Sequence, residues 1–183
     1  MPDAARWDAV RLDGDGFVLR RWRTGDLDAL LRHANDPAVV RGLSHRFPTP
    51  YTRADGEAFL TGHVVDFGDP LFAIEIDGAA CGGIGARSGV GERAQSAELG
   101  YWLGQVYWGR GLMTRAVRLY ADWVLDALRL HRLQATVLAF NTGSARVLQK
   151  TGFIEEGCMR HAVVKDGQVH DLRLFARTRA TID

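Results

Sequence analysis

The chain has few of the residues from which disulfide frameworks and metal centres are built. Its only two cysteines, Cys81 and Cys158, stand far apart and form no C-x-x-C pair, which argues against a disulfide framework and against a zinc site. Both are expected to be buried free thiols. The six histidines show no H-x-x-x-H or other ligand spacing, so no metal centre is predicted.

The sequence also lacks an excess of charge and long apolar runs. A formal net charge of +1 with interspersed signs gives no field that would gather a polyanion, so neither nucleic acid nor an anionic membrane is an expected partner. No window approaches the roughly 18 uninterrupted apolar residues of a membrane span. Residues 1–15 are charged and without an apolar stretch, and are expected to be a loose N-terminal extension of a cytoplasmic protein.

What the chain does have is the composition of one soluble domain. Apolar residues make up 46% of its 183 residues and charged residues 25%, which is typical of a globular protein. No internal repeat, low-complexity segment or linker marks a second domain. We therefore predict a single domain over residues 1–183.

Local patterns predict an α/β chain in which strands and helices alternate. Strands are expected over 17–22, 71–76, 79–86, 96–103, 133–139, 154–164 and 169–177, and helices over 27–34, 52–66, 112–128 and 141–150. Asp77-Gly78 and Asp166-Gly167 indicate tight hairpin turns. Gly152 is placed to end the last helix in a left-handed turn.

The glycine-bearing segment 108–114 is the most informative unit of the sequence. It lies between a predicted strand and a strongly amphipathic helix, so Gly109 and Gly111 would let backbone N–H groups approach an anion at the positive helix end. Taken alone, the segment fits a phosphate site and a simple tight connection equally well. Leu112 and Met113 stand where a P-loop has its lysine and hydroxyl residue, and no G-x-G-x-x-G pattern is present, so neither a P-loop nor a dinucleotide-binding fold is indicated.

Eight segments have an order and a spacing that are specific when they are taken together. They are Leu19-Arg20-x-Trp22, Asn35-Asp36-Pro37, Pro50-Tyr51-Thr52, Gly82-Gly83-Ile84-Gly85, Glu98-Leu99-Gly100-Tyr101-Trp102-Leu103, residues 107–114, residues 141–153, and Glu156-Gly157 before Arg160. Across nearly its whole length the chain thereby resembles the GNAT superfamily, and within it the RimJ/RimL-like N-acetyltransferases.

This resemblance implies the GNAT fold, a mixed twisted sheet of about seven strands flanked by about four helices. The sheet would splay open between its fourth and fifth strands, 97–103 and 133–139, and the pantetheine arm of acetyl-CoA would lie in that gap while the pyrophosphate meets the N–H groups of 109–114. The coenzyme A contacts so implied are Leu99, Tyr101, Trp102, Leu103, Trp108, Gly109, Arg110, Gly111, Leu112, Met113, Thr114, Asn141 and Ser144. Trp108 and Met113 depart from the family's Q/R-x-x-G-x-G/A pattern.

Acyl transfer to an amine needs a base for the amine and a proton for the departing thiolate. Glu98 matches a family position that often holds the general base, and pairing with an arginine is the alternative. Asn141 and Ser144 suit a helix start, whereas the resemblance implies that Asn141 contacts the pantetheine arm and that a hydroxyl protonates the thiolate. Many relatives use a tyrosine at the place of Leu148, so Ser144 or a water must act instead.

The resemblance predicts an enzyme that moves an acetyl group from acetyl-CoA to a primary amine, either a protein N-terminus or a small molecule, by direct attack in a ternary complex without a metal. The candidate acceptor contacts are Phe47, Tyr51, Glu98, Arg160 and His161. Succinyl-CoA stays open as a donor, because Arg160 or Arg46 could receive its carboxylate. A binding-only sensor or scaffold module also stays open, as do a monomer and a homodimer.

Overall fold

The computed structural model describes residues 4–44 and 47–179, which are arranged around a mixed sheet of eight strands. Its strands are β1 Arg11–Gly14, β2 Phe17–Arg21, β3 Leu71–Ile76, β4 Ala79–Ser88, β5 Ser96–Leu103, β6 Arg132–Leu138, β7 Ile154–Lys165 and β8 Gln168–Thr178. Their order across the sheet is β1-β2-β3-β4-β5-β6-β8-β7. Every neighbouring pair is antiparallel except β5 and β6, which run parallel.

Helices cover both faces of this sheet. They are α1 Leu27–Ala34, α2 Pro37–Arg41, α3 Arg53–Leu60, α4 Leu112–Ala127 and α5 Thr142–Lys150. The long helix α4 buries Val117, Tyr120 and Val124 completely in the main core, as its apolar spacing predicts. A smaller core on the other face joins α1 to Trp22 and Tyr51.

The parted strands that the family resemblance predicts are present. β5 and β6 are in register at Ser96 opposite Arg132, Ala97 opposite Leu133 and Glu98 opposite Gln134. Beyond that point β5 remains paired with β4 up to Leu103, and β6 remains paired with β8 up to Leu138. The sheet therefore opens between two neighbouring strands that each stay hydrogen-bonded on the other side.

The predicted hairpins are also confirmed. Ile76 lies opposite Ala79 across a two-residue turn in which Asp77 and Gly78 both have positive φ, the geometry of a type I′ turn. The β7–β8 turn at Asp166 and Gly167 repeats it.

The prediction of a loose N-terminal extension is wrong for the residues that the structure describes. Residues 4–7 form a 3-10 helix, and β1 pairs with β2 across Asp15-Gly16, which is a further hairpin signal. Trp7 is buried, its Nε1 donates to the Gly68 carbonyl at 2.7 Å, and its ring meets Trp123 edge-on at 5.4 Å. These contacts fix the segment to the core, and β1 raises the strand number from the predicted seven to eight.

Three smaller expectations also need correction. The helix predicted to reach residue 66 ends at Leu60, because Gly62 at φ 79° turns the chain out of the helical path. Asp36 caps α2 through a bond from the Ala38 N–H, at a place where the sequence indicated only a helix end. Cys158 is exposed, whereas Cys81 is buried as predicted. Within 4–44 and 47–179, none of the helices is both long and apolar enough to cross a membrane.

Candidate functional site

Backbone groups border the gap between β5 and β6. Antiparallel pairing turns successive residues of a strand alternately toward its two neighbours. The Gly104 N–H donates to the Cys81 carbonyl on the β4 side, so the alternation directs Leu99, Tyr101 and Leu103 toward β6. Because the paired register with β6 ends at Glu98, these backbone groups can receive an extended ligand lying alongside β5.

The start of α4 offers a second set of backbone donors. Gly111 occupies the N-cap with φ 71°, a left-handed conformation that glycine adopts without strain, and as a glycine it has no side chain to cap the helix. The first N–H groups of an α-helix have no partner inside the helix, so those of Leu112, Met113 and Thr114 point outward at the positive end of the helix dipole. This geometry suits a phosphate or diphosphate.

Two clefts open on the parted strands. The first, here the α4 cleft, measures about 580 Å³ and runs along the start of α4, with Leu103, Trp108, Gly109 and residues 111–114 in its wall. Its charged lining side chains, among the residues described, are all basic: Arg41, Arg146 and Lys150.

The second cleft, here the α3 cleft, measures about 750 Å³ and lies on the opposite face of the sheet, beside α3. Its charged lining, over the same described ranges, is mainly acidic: Asp55, Asp66, Asp69 and Glu98, with Arg87. Aromatic rings form its apolar wall, since Phe47 lies 4.9 Å from Tyr51 and 5.7 Å from Trp102 between ring centroids. The predicted acceptor residues Phe47, Tyr51 and Glu98 therefore share one cleft.

The two clefts meet at the parted strands. Tyr101, Trp102, Asn141 and Ser144 line both of them, together with Gly42 and Leu43. Groups that enter from opposite faces of the sheet can therefore approach one another only around these residues.

Glu98 faces the α3 cleft but is not free. Its Oε2 accepts a bond from Arg87 Nη2 at 2.5 Å, and its Oε1 lies 3.4 Å from the Thr136 hydroxyl. Its side chain is 37% exposed, so the carboxylate remains open to the cleft. The predicted alternative, pairing with an arginine, is therefore present, and the carboxylate still faces the cleft.

Asn141 holds the start of α5, and Ser144 is bonded across the gap. Asn141 Oδ1 accepts from the Ser144 N–H at 3.1 Å, which confirms the capping interpretation. The Tyr101 hydroxyl lies 2.8 Å from Ser144 Oγ and 3.1 Å from the Ser144 carbonyl. Burial raises the pKa of Tyr101 well above its usual value, and the bond to Ser144 opposes this only in part. Tyr101 therefore keeps its proton at neutral pH.

The other predicted contacts lie in different places. Trp108 donates from Nε1 to the Leu103 carbonyl at 2.8 Å and leaves about half of its side chain exposed in the α4 cleft. The Arg110 guanidinium lies 5.8 Å from the Tyr107 ring centroid, and Arg110 does not line the cleft. Arg160 and His161 are exposed on β7 and line neither cleft, while Arg46 lies outside the described residues.

Similarity to known proteins agrees with this geometry. Residues 17–154 match the family model described as the acetyltransferase (GNAT) domain, so the chain belongs to the GNAT acetyltransferases. It is 31% identical over 180 residues to the ribosomal protein uS5-alanine N-acetyltransferase of Escherichia coli (strain K12), which covers 92% of this chain and 91% of that protein. The predicted resemblance to RimJ/RimL-like N-acetyltransferases is confirmed.

Two further similarities differ in extent. The chain is 44% identical over 82 residues to the Probable N-acetyltransferase YjcK of Bacillus subtilis (strain 168), but this match spans only 45% of either protein. The structure of RimL, the ribosomal L7/L12 alpha-N-protein acetyltransferase in complex with coenzyme A, superposes with a TM-score of 0.81 over 92% of this chain and 98% of that one. At 18% identity, that superposition shows a shared fold.

Proposed function

We propose that the protein transfers an acetyl group from acetyl-CoA to a primary amine by direct attack within a ternary complex. The observation that carries this proposal is the meeting of two oppositely charged clefts at the parted strands. A basic cleft that ends on free helix N–H groups suits a polyanionic donor. An acidic, aromatic cleft suits a protonated amine.

The α4 cleft supplies what the donor requires. The N–H groups of residues 112–114 would hold the diphosphate, and Arg146 and Lys150 add positive charge beside them. Tyr101 and Leu103 would pair with the amide groups of the pantetheine arm, as an added strand pairs with an open edge. When bound, acetyl-CoA supplies an activated acyl group, and these contacts would place it where the clefts meet.

The α3 cleft supplies what the acceptor requires. Gly100 lies on β5 between Glu98 and Trp102, and a side chain added there would meet no heavy atom within 4 Å. The open space above Gly100 would admit the amine, with Glu98 to accept its proton and the Trp102 ring to pack against its apolar part. Protein N-termini and small amines both fit this description, and the name of the E. coli relative favours an N-terminal acceptor.

The leaving sulfur needs a proton, and Ser144 would give it. Ser144 lines both clefts at their junction. The tyrosine site of other family members is Leu148 here, and that side chain is completely buried. We assign the acid role to Ser144 in this proposal.

Thiol release tests the proposal directly. Purified protein is incubated with acetyl-CoA and a panel of N-terminal peptides and small amines. The release of free thiol is followed over time, and the products are identified by mass spectrometry. Succinyl-CoA is tested in parallel as the alternative donor. We expect thiol release that depends on both acetyl-CoA and an amine, with an acetylated product. Saturable CoA binding with thiol release equal to buffer across the panel would instead indicate a binding-only module.

A further inference from the structure

Tyr101 contributes to the gap between β5 and β6 in two ways. Its backbone borders the gap, and its side chain reaches across it. Its strand neighbours on the same face, Leu99 and Leu103, are buried in the core. Tyr101 instead carries a hydroxyl to the first turn of α5, where it meets both oxygens of Ser144 at 2.8 and 3.1 Å. This pair forms part of the wall that the two clefts share.

A serine hydroxyl has one proton, and its direction decides whether it can serve a leaving group. Among the residues described, Tyr101 is the only hydrogen-bond partner of Ser144 Oγ. The Ser144 carbonyl can only accept, so the Tyr101 O–H donates to it at 3.1 Å, and the phenol oxygen is then available to accept from Ser144 Oγ at 2.8 Å. Together the two contacts fix where the Ser144 hydroxyl oxygen lies. A rotation of its O–H bond alone then brings the serine proton to a leaving group at the junction of the clefts.

We propose that Tyr101 is a positioning residue that holds the Ser144 hydroxyl beside the leaving sulfur. This inference rests on the proposed function. In the transfer the C–N bond forms as the C–S bond breaks, and the sulfur keeps its electron pair and takes the Ser144 proton. The proton that the neutral amine loses passes to Glu98, which releases it to solvent, and solvent returns one to Ser144, so that thioester and amine become amide and thiol.

The sequence alone did not indicate this role. Leu148 stands where many relatives have a tyrosine, which suggested that no tyrosine was available near the sulfur. In the fold, a different tyrosine reaches the same region from β5, and its hydroxyl meets Ser144 at a separation of 43 residues along the chain. The hydroxyl pair can therefore replace a single tyrosine acid.

A double-mutant cycle on Tyr101→Phe and Ser144→Ala tests the inference. General acids contribute about 10²–10⁴-fold to the rate. We expect kcat to fall at least tenfold in each single variant, while KM for acetyl-CoA and the affinity for CoA stay unchanged. The double variant is expected to be no slower than the slower single variant, because both changes remove one interaction. Ser144→Thr, which keeps the hydroxyl, should recover kcat only while Tyr101 is present.

Tyr120→Phe is the matched control. It also removes a buried tyrosine hydroxyl that is bonded to a carbonyl, that of Pro70 at 2.6 Å, but deep in the core. It should lower the melting temperature and leave kcat unchanged. Wild-type kcat in Tyr101→Phe, or losses that multiply in the double variant, would overturn the positioning role while leaving acetyl transfer intact. A wild-type protein that releases no thiol would instead overturn the proposed function itself.

Discussion

Glu98 combines two features that bear on turnover. It opens into the α3 cleft, and it is paired with Arg87. Glu98→Gln keeps the size of the side chain but removes the base, so we expect kcat to fall by about 10²–10⁴-fold while CoA affinity stays the same. Steady-state kinetics and CoA titration measure the two quantities.

Glu155→Gln is the matched control for that change. Glu155 is also a carboxylate on a strand, 35% exposed and paired with an arginine, Arg173, but it lies on β7 outside both clefts. Its neutralisation should leave kcat at the wild-type value. Full activity in Glu98→Gln would remove Glu98 from the mechanism.

A substitution at Gly111 tests whether the backbone at the start of α4 binds phosphate. Valine there would be strained at φ 71°, its Cβ would lie 3.2 Å from Arg115 Nη1, and relief of this strain would move the backbone at the start of α4. We expect Gly111→Val to weaken CoA binding by about tenfold or more, equivalent to about 1.4 kcal/mol. Calorimetric titration with CoA provides the measurement.

Gly78→Val is the control for the effect of backbone strain alone. Gly78 also has positive φ, at 81°, but it lies in the β3–β4 turn with open space around it. Left-handed conformations cost a non-glycine residue roughly 1–2 kcal/mol, so both variants should lose stability. Equal CoA affinity in both variants would contradict a role for the α4 N-terminus.

At the residue scale, the sequence predicts where the candidate site residues lie better than it predicts which side chains they contact. Glu98, Ser144 and Asn141 lie at the junction or in the α3 cleft because motif spacing places them on particular elements. The Arg87 and Tyr101 partners were not predicted, since those contacts depend on strand pairing and on how α5 packs across the gap. The sequence predicts Arg160 and His161 on the acceptor side from their hairpin alone, and in the structure they line neither cleft.

At the scale of elements, the proposed binding of CoA depends on the parted strands. We expect CoA to slow amide hydrogen exchange at Tyr101 and Leu103, because these groups lie beyond the last paired register with β6 and would gain partners. The β7–β8 turn at Asp166-Gly167 should be unaffected. Exchange measured by mass spectrometry with and without CoA gives the comparison, and an unchanged β5 would contradict strand-like binding of the arm.

The elements themselves were predictable where local chemistry determines them. Tight Asp-Gly turns, the apolar stripe of α4 and the left-handed Gly152 at φ 85° act through neighbouring residues. The N-terminal segment was not recognised, because Trp7 is held by Gly68 and Trp123, which are distant in sequence. The gap was inferred only through family resemblance, since no local pattern states that two strands separate.

At the scale of the whole molecule, charge is separated in a way that the net value of +1 conceals. The basic residues Arg41, Arg146 and Lys150 gather in one cleft, and four carboxylates gather with Arg87 in the other. Only the fold creates this polarity, because these side chains come from many elements. Such a polarity would suit the proposed polyanionic donor and cationic acceptor.

Thermal unfolding with and without CoA tests most directly whether the helix N-terminus and the parted strands together form a coenzyme site. A ligand present at 100 times its dissociation constant adds about 2.7 kcal/mol to the stability of the folded state. For a chain of this size that corresponds to a rise in melting temperature of roughly 5–10 °C, and we predict such a rise with saturating CoA. A melting temperature that does not move at saturating CoA would contradict the account.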